Sequence, residues 1–247
     1  MVQLPVAKSE IDLSFNKQKI GIIGASGIGK SDFLSQDEKA FFIEAEAGLN
    51  FISVYKLPAR NWQDIRDIYA VLREKAIEGN FPYNIVTIDT IDRVCDFAEE
   101  EIVAKAKEFY SKIANEINTI ADVPNGAGWA RAKDLVMSLL NKLEELPCAV
   151  AYIGHLQTKE LKDPAGNKYH KQTINIGGKM GLELLAWCDH LLYVDSRMVG
   201  DKLRRVIYTK PTQTKEAKSR GGIIEDGTIW SDDMSENYKK FRSHFTQ

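Results

Sequence analysis

The residues best suited to chemistry form one continuous segment, in which the chain reads Gly-Ala-Ser-Gly-Ile-Gly-Lys-Ser. This spacing fits G-x-x-x-x-G-K-[ST], a phosphate-binding loop whose backbone N–H groups curl around a triphosphate. Glycine permits the curl because it carries no Cβ atom. All eight positions are expected to contact the nucleotide: Gly24, Ala25, Ser26, Gly27, Ile28, Gly29, Lys30 and Ser31.

Two side chains of this loop have predicted roles of their own. Lys30 is expected to reach the β- and γ-phosphates and assist their chemistry, and the Ser31 hydroxyl is expected to bind Mg²⁺. The loop follows the apolar run 19–23, so it occupies the strand-to-turn junction that such loops require. ATP and Mg²⁺ are therefore the expected ligands.

A second acid is needed to hold Mg²⁺ through water, and Asp89 supplies it at the end of the apolar run 85–89. The alternative is that Asp89 or Asp92 caps a helix. Thr90 follows Asp89, so the sequence lacks the Asp-Glu pair found in AAA+ ATPases. The group that orients the attacking water must therefore come from another strand.

Glu44 and Glu46 lie at the end of the apolar run 40–44, and a carboxylate there can accept a proton from water. If the strand continues, its two-residue period places both side chains on one face, so that only one needs to be catalytic. The alternative is that both carboxylates belong to a solvated strand end.

These residues require a sheet that brings them together. Six runs, several of them continuously apolar, are typical of strands buried on both faces of a parallel sheet: 19–23, 40–44, 84–89, 148–154, 190–194 and 203–209. Apolar spacing predicts helices near 65–72, from 92 to about 120, and over 135–146. This alternation indicates a doubly wound, mostly parallel α/β sheet flanked by helices, with the ligand at the carboxyl ends of the strands.

The 247 residues suit a single domain, with a core over about 19–210 and a C-terminal extension over 211–247. A net charge of −2 excludes a uniformly basic surface, so any nucleic-acid site must be a local patch. No apolar run approaches a membrane span and no secretory leader is evident, which predicts a cytoplasmic protein without membrane partners. The three cysteines are isolated and are expected to stay reduced: Cys95, Cys148 and Cys188.

Several of these motifs together resemble the RecA-like ATPases. Their second strand ends in a similar stretch whose last Glu is catalytic, which implies that role for Glu46. Their Walker B strand ends in Asp followed by a small hydroxyl residue, as Asp89 and Thr90 do here. Their fourth core strand ends in a polar sensor of the γ-phosphate, which implies a catalytic sensor at His155; otherwise a His at a strand end is often structural.

The chain departs from bacterial recombinases in the short segment between Lys30 and the strand at 40–44. This compactness resembles the phage-encoded Sak-type ATPases of single-strand annealing and recombination, as do Lys210-Pro211 and the basic stretch 218–222. The resemblance implies that Lys210 belongs to a nucleotide site and that the protein works in the host cytoplasm.

The RecA-like pattern also implies a DNA-binding loop after the sensor. Segment 158–176 fits because it interleaves cations with an aromatic ring that can stack on a base. The alternative is a charged hairpin that only keeps the protein soluble. Its predicted contacts with single-stranded DNA are Lys159, Lys162, Lys168, Tyr169 and Lys171.

A second candidate DNA segment is 124–131, whose glycines allow disorder until a strand arrives. Trp129 and Arg131 could then engage DNA. The alternative places Trp129 in the core.

ATPases of this superfamily often complete their sites with a neighbour's cation, which stabilises developing charge. Candidates here are Lys210, Lys218 and Arg220. We expect a homo-oligomer, as a ring or filament, acting on single-stranded DNA in recombination, annealing or repair, with a single-strand DNA-binding protein as a further partner. The alternatives are a nucleotide or small-molecule kinase and an ATP-controlled assembly scaffold without DNA activity.

Overall fold

The apolar runs form strands in the computed structural model, which describes residues 4, 6–8 and 10–246. β-branched and aromatic side chains favour this geometry because they pack well on a pleated surface. The strands are β1 (Lys19–Gly24), β2 (Ala40–Glu44), β3 (Tyr55–Pro58), β4 (Ile85–Asp89), β5 (Ala149–Gly154), β6 (Leu156–Lys162), β7 (Lys168–Ile174), β8 (His190–Val199), β9 (Lys202–Tyr208), β10 (Lys218–Ser219) and β11 (Thr228–Ile229).

Helices connect most of the strands and cover the sheet. Where apolar residues recur at helical spacing, as in α2, α3 and α4 below, one face of the helix is buried in the core. The helices are α1 (Lys30–Leu34), α2 (Trp62–Ile77), α3 (Ile91–Phe109), α4 (Ala127–Leu143), α5 (Gly178–Trp187) and α6 (Met234–Arg242).

The described residues form a nine-stranded sheet in the order β11-β9-β8-β1-β5-β4-β2-β3, with β10 pairing with β8. The strands from β8 to β3 in this order run parallel, whereas β9 and β10 pair with β8 antiparallel. The predicted doubly wound, mostly parallel α/β sheet flanked by helices is confirmed. Because β1, β5 and β4 are neighbours, the residues that follow them share one edge of the sheet.

Two apolar layers sandwich the sheet. One contains the buried faces of α2, α3, α4 and α5, and the other contains α1 and α6. Because α1 has only five residues, the C-terminal segment covers the rest of its side of the sheet. Trp230 stacks on Phe33 with ring centroids 4.9 Å apart, and Tyr238 donates a hydrogen bond to Asp37 at 2.9 Å. The C-terminal segment therefore buttresses the helix that follows the phosphate-binding loop.

The predicted helix from 92 to about 120 is too long, because α3 ends at Phe109. At Tyr110 the backbone leaves helical geometry, with φ −99° and ψ 52°. Short 3-10 turns follow, the second of them held by a capping box between Thr119 and Asp122. The Asp122 carboxylate accepts the N–H groups of Asn118 and Thr119, and such side-chain hydrogen bonds compete with those of a continuing helix.

The segment after β5 is an antiparallel hairpin of β6 and β7. The hairpin is joined to the chain beyond β9. The Gln172 N–H donates to the Thr214 carbonyl at 2.8 Å, and the Gln172 carbonyl accepts from the Glu216 N–H at 3.0 Å. These bonds fix one side of β7.

The three cysteines are free thiols in the core. Burial raises the pKa of Cys148 to about 12, so this thiol stays protonated at neutral pH. Across the described residues, no helix combines the length and the apolar character needed to cross a membrane.

His190 at the start of β8 makes the folded state sensitive to acid. It is 2% exposed and hydrogen-bonds Ser219 and Gln18 at 3.1 and 3.2 Å. Burial lowers its pKa from 6.5 to about 4. Between pH 6.5 and pH 4, His190 is therefore protonated in the unfolded chain but neutral in the folded chain. The folded state loses stability as the pH falls through this range.

We predict that the free energy of unfolding contains a His190 contribution that falls by about 2 kcal/mol between pH 7 and pH 5. Urea denaturation of wild type and His190→Gln at both pH values measures it. His190→Gln should lose less unfolding free energy than wild type between pH 7 and pH 5. The matched control, His170→Gln at an exposed histidine, should lose as much as wild type. An equal loss in all three proteins would contradict the prediction.

Candidate nucleotide-binding site

The phosphate-binding loop connects β1 to α1 by left-handed turns at two glycines. Gly27 and Gly29 have φ values of 74° and 99°, which side chains with a Cβ atom rarely adopt. A Cβ atom on Gly29 would also lie 2.7 Å from Nη1 of Arg205. The backbone geometry therefore requires glycine at Gly29, and a side chain there would also displace the flexible end of Arg205.

Lys30 opens α1 and its side chain folds back under the loop. Its Nζ donates to the carbonyls of Gly24 and Ala25 at 2.8 and 2.9 Å, and the residue is 6% exposed. Burial lowers the pKa of Lys30, and the neighbouring carboxylates, Asp89 first among them, oppose that shift. The ammonium is thus a desolvated cation held beside the loop, where an anionic ligand gains most from it.

Ser31 of α1 and Asp89 at the end of β4 contact each other at the carboxyl ends of the parallel strands. The Ser31 hydroxyl donates to Oδ2 of Asp89 at 2.7 Å. Burial raises the pKa of Asp89, which the Ser31 hydrogen bond and the Lys30 charge oppose. The peptide bond from Asp89 to Thr90 is cis.

These two oxygen donors fit Mg²⁺. Within the described ranges, no group of three or more His, Cys, Asp or Glu side chains could hold a metal ion. Mg²⁺ needs no such cage, because it keeps several waters and binds through one or two carboxylates plus substrate phosphates. Ser31 and Asp89 are therefore the residues that would hold it here.

Glu46 reaches the same edge by a turn and not by continuation of β2. The strand ends at Glu44, after which the N–H groups of Ala45 and Glu46 both donate to the Asp89 carbonyl, at 2.8 and 3.1 Å. The Thr90 hydroxyl donates to Oε2 of Glu46 at 3.1 Å. The chain thus holds the Glu46 backbone and side chain beside β4.

Glu44 has a different environment. Its side chain is 7% exposed and forms an ion pair with Lys56 of β3 at 2.9 Å. The expectation that Glu44 and Glu46 share a face required β2 to continue, and it does not. Of the two carboxylates, only Glu46 lines the cavity beside the phosphate-binding loop.

His155 follows β5, between the ends of β1 and β4. Its N–H donates to Oδ2 of Asp92 at 3.0 Å, and its carbonyl accepts from the Asn175 N–H at 2.8 Å. Burial raises the pKa of Asp92, and the hydrogen bond from the His155 N–H opposes the shift. His155 is thus fixed on one side by α3 and on the other by the base of the hairpin.

A cavity of about 310 Å³ joins these residues. It brings together the five side chains with predicted catalytic or metal roles: Lys30, Ser31, Glu46, Asp89 and His155. Its remaining walls are Ser26, Gly27, Gly29, Asp32, Ala47, Gly48, Ile52, Thr90 and Ile153.

Two candidate trans-acting residues lie at the opposite edge of the sheet. Lys218 donates to the carbonyls of Leu185 and Ala186 at the end of α5, at 2.8 and 3.0 Å. Arg220 forms an ion pair with Asp189 at 2.8 Å, immediately before β8. β8 runs parallel to β1, so its start lies away from the phosphate-binding loop.

Lys210 is not at the nucleotide cavity of its own chain, which corrects its predicted place there. Its N–H donates to Asp226 at 3.0 Å, and the residue lines a separate cavity of about 380 Å³ beside α5. The chain reverses through β9, which carries Lys210 away from the carboxyl ends of the parallel strands.

Arg205 of β9 contacts the phosphate-binding loop, a contact that the local sequence does not predict. Its Nη1 donates to the Ile28 carbonyl at 3.4 Å, and its guanidinium lies 5.8 Å from the Trp230 ring centroid. The antiparallel return of β9 beside β8 creates this contact. No local motif around Arg205 could have revealed it.

The hairpin divides the predicted DNA-binding residues between its two faces. Lys159 pairs with Lys171, and Lys162 pairs with Lys168, directly across the strands. Alternation along the strands places Tyr169 on the face of the first pair. Lys168 and Lys171 have acidic partners, Glu160 at 2.8 Å and Glu216 at 2.6 Å.

The second DNA candidate, 124–131, is largely ordered as helix and not as a flexible loop, because α4 begins at Ala127. Trp129 is 52% exposed, so it does not pack into the core. It lines a cavity of about 640 Å³ together with Gly177, Gly178 and Lys179 at the start of α5. Arg131 lies two residues further along α4, about half a turn away, and is exposed.

Comparisons with solved structures found, among others, two proteins of low sequence identity. The chain is similar to a KaiC-like protein from Pyrococcus horikoshii, with 10% identity over 89% of this chain and 88% of that one and a TM-score of 0.46. It is also similar to the flagellar accessory protein FlaH from Methanocaldococcus jannaschii, with 12% identity over 79% and 78% and a TM-score of 0.41. A search of curated protein sequences found no match.

A sequence profile covers most of the chain. The profile of a family described as AAA domain matches residues 16–221, which include all strands of the parallel sheet and the whole nucleotide cavity. The chain therefore belongs to this family and contains an AAA-type P-loop ATPase domain.

Proposed function

We propose that the protein is a Mg²⁺-dependent ATPase that acts on single-stranded DNA in recombination, annealing or repair, in the manner of the Sak-type phage proteins. One domain over 1–247 carries the activity, with its core at 19–210. The observation that carries hydrolysis is the convergence of Glu46, Lys30 and the Ser31–Asp89 pair on one cavity.

In this proposal the loop N–H groups and Lys30 bind the phosphates, and Glu46 accepts a proton from the attacking water. Thr90 orients the Glu46 carboxylate through its hydroxyl. Ser31 and Asp89 hold Mg²⁺, which neutralises charge on the phosphates when bound. His155 contacts the γ-phosphate side of the cavity and links it to the hairpin through Asn175.

Single-stranded DNA is the polymer that suits the hairpin best. In each of the two cross-strand lysine pairs, one lysine has an acidic partner. The other two, Lys159 and Lys162, form no ion pair among the described residues and can bind phosphates. Tyr169 offers a ring on which a base can stack. The half-exposed Trp129 in the cavity at the start of α5 offers a second ring.

A homo-oligomer would complete the nucleotide site. Among the described residues that line the cavity, Lys30 is the sole Lys or Arg. The candidate cations Lys210, Lys218 and Arg220 lie away from the cavity of their own chain, so a head-to-tail contact in a ring or filament would bring them to a neighbour.

The test of the oligomer mixes two inactive variants. Lys30→Ala removes the loop cation, and Arg220→Ala removes the candidate trans cation. If Arg220 acts in trans, the mixture should recover turnover at the interfaces that combine an intact loop with an intact Arg220. A mixture that stays inactive, although both variants assemble, would exclude Arg220 from this role.

The central experiment measures ATP turnover alone and with single-stranded DNA, duplex DNA or nucleoside monophosphates. The proposal expects phosphate release that single-stranded DNA stimulates more than duplex DNA. Transfer of phosphate to a nucleotide would instead identify a kinase. ATP-dependent assembly without turnover would identify a scaffold.

We predict that Tyr169→Ala weakens binding to single-stranded DNA by about 5- to 150-fold, because a stacked base contributes about 1–3 kcal/mol. Fluorescence anisotropy with a labelled oligothymidine measures this. The neighbouring His170 points to the opposite face of the hairpin, so His170→Ala is the matched control and should bind like wild type. Equal losses in both variants would argue against stacking on Tyr169.

A further inference from the structure

Asp92 has a carboxylate that neither metal binding nor helix capping uses. It lies in the first turn of α3, whose N-cap, Thr90, makes no side-chain capping bond. The Asp92 side chain is 15% exposed and turns back to the end of β5. There its Oδ2 accepts the His155 N–H at 3.0 Å.

The His155 ring lies near the oxygen that accepts the backbone N–H, while the other carboxylate oxygen has no partner among the described residues. Oδ1 of Asp92 is buried and has no hydrogen-bond partner among the described residues. A buried acceptor without a donor costs free energy, so a donor is expected in some state of the protein. Nδ1 of His155 lies 3.7 Å from Oδ2, just outside hydrogen-bond distance.

We propose that Asp92 is a positioning residue that holds His155 by its backbone and orients its imidazole towards the nucleotide cavity. A carboxylate that accepts from Nδ1–H fixes the ring tautomer and leaves Nε2 to face the opposite direction. Here that direction is the cavity, because His155 lines it beside Lys30, Glu46 and Asp89. The inference rests on the proposed ATPase function and on the sensor role of His155.

Asp92→Asn separates this role from a structural one. The amide oxygen can still accept the His155 N–H, so the tie between α3 and β5 is kept. A neutral amide oxygen accepts Nδ1–H less strongly than a carboxylate does, so the orientation of the ring is weakened. We expect unchanged thermal stability, an unchanged affinity for Mg·ATP, and a kcat lowered by about tenfold, the scale of effect seen when an orienting partner is removed.

A double-mutant cycle tests whether Asp92 acts through His155. In the His155→Ala background, Asp92→Asn should have no further effect on kcat, because the ring that it orients is absent. A further tenfold loss there would overturn the inference. Nitrogen-15 NMR of the His155 ring should report Nδ1–H in wild type and a changed tautomer mixture in Asp92→Asn; an unchanged ring spectrum would also overturn it.

The matched control is Asp96→Asn, one turn along α3, where the side chain is 59% exposed and pairs with Arg93. It should hydrolyse ATP like wild type. If wild type itself does not hydrolyse ATP, the proposed function fails. If wild type is active and the cycle is additive, only the role of Asp92 fails.

Discussion

Replacing Glu46 with Gln is expected to lower ATP turnover by about 10²- to 10⁴-fold, the contribution typical of a general base. The amide keeps the shape of the side chain and can still accept the Thr90 hydrogen bond, but it cannot take a proton from water. Binding of Mg·ATP should persist, because the loop backbone and Lys30, which bind the phosphates, are unchanged and Lys30 is held by the Gly24 and Ala25 carbonyls. Steady-state turnover and calorimetric titration together separate these two effects.

The matched control is Glu44→Gln, which removes the neighbouring carboxylate. Glu44 is buried against Lys56 and does not line the cavity, so its loss should act on stability and leave turnover nearly intact. We expect a cost of about 1–2 kcal/mol in the free energy of unfolding, because the lost partner is charged. If Glu44→Gln abolished turnover and Glu46→Gln did not, the assignment of the two carboxylates would be reversed.

The sheet was predictable because its central strands are buried on both faces. The segments that form β1, β2, β4, β5 and the first half of β8 are almost continuously apolar, which is typical of strands buried on both faces of a parallel sheet. The edge strand β3 was not predicted, because it is short and mostly exposed and so lacks a continuous apolar run. The length of α3 was overestimated because charged residues and thin apolar spacing continue into the 3-10 turns after Phe109.

The candidate site was predictable where each residue follows its own strand. Asp89 is the last residue of β4, and Lys30 and His155 follow β1 and β5 within one loop, so parallel pairing alone brings the three together. The family is described as AAA domain, although Thr90 follows Asp89 where AAA+ ATPases have Glu. Thr90 instead donates to Glu46, a carboxylate from another strand.

Contacts made by a strand that reverses direction and pairs far from its place in the sequence could not be predicted from local patterns. Arg205 meets the phosphate-binding loop only because β9 turns back beside β8. The same reversal carries Lys210 away from the cavity. Local patterns report which residues follow a strand, but they do not report where a distant antiparallel strand places its side chains.

Replacing Lys30 with Ala is expected to weaken binding of Mg·ATP by about 30- to 4,000-fold, which corresponds to the 2–5 kcal/mol typical of truncating one partner of a buried charge pair. Without nucleotide, the Lys30 ammonium is held by two loop carbonyls. A triphosphate offers it full negative charge in a desolvated site, so most of the interaction is gained on binding. Calorimetric titration with Mg·ATP measures the loss directly.

Thermal unfolding gives an independent measurement. Ligand that binds only the folded state raises its stability according to its concentration relative to Kd, so Mg·ATP should raise the Tm of wild type but scarcely that of Lys30→Ala. Lys30→Arg should not restore binding, because the larger, planar guanidinium cannot replace a compact ammonium that is 6% exposed. Lys39→Ala, at an exposed lysine shortly after α1, is the matched control and should behave like wild type. Wild-type affinity in Lys30→Ala would mean that the triphosphate is bound somewhere other than this loop.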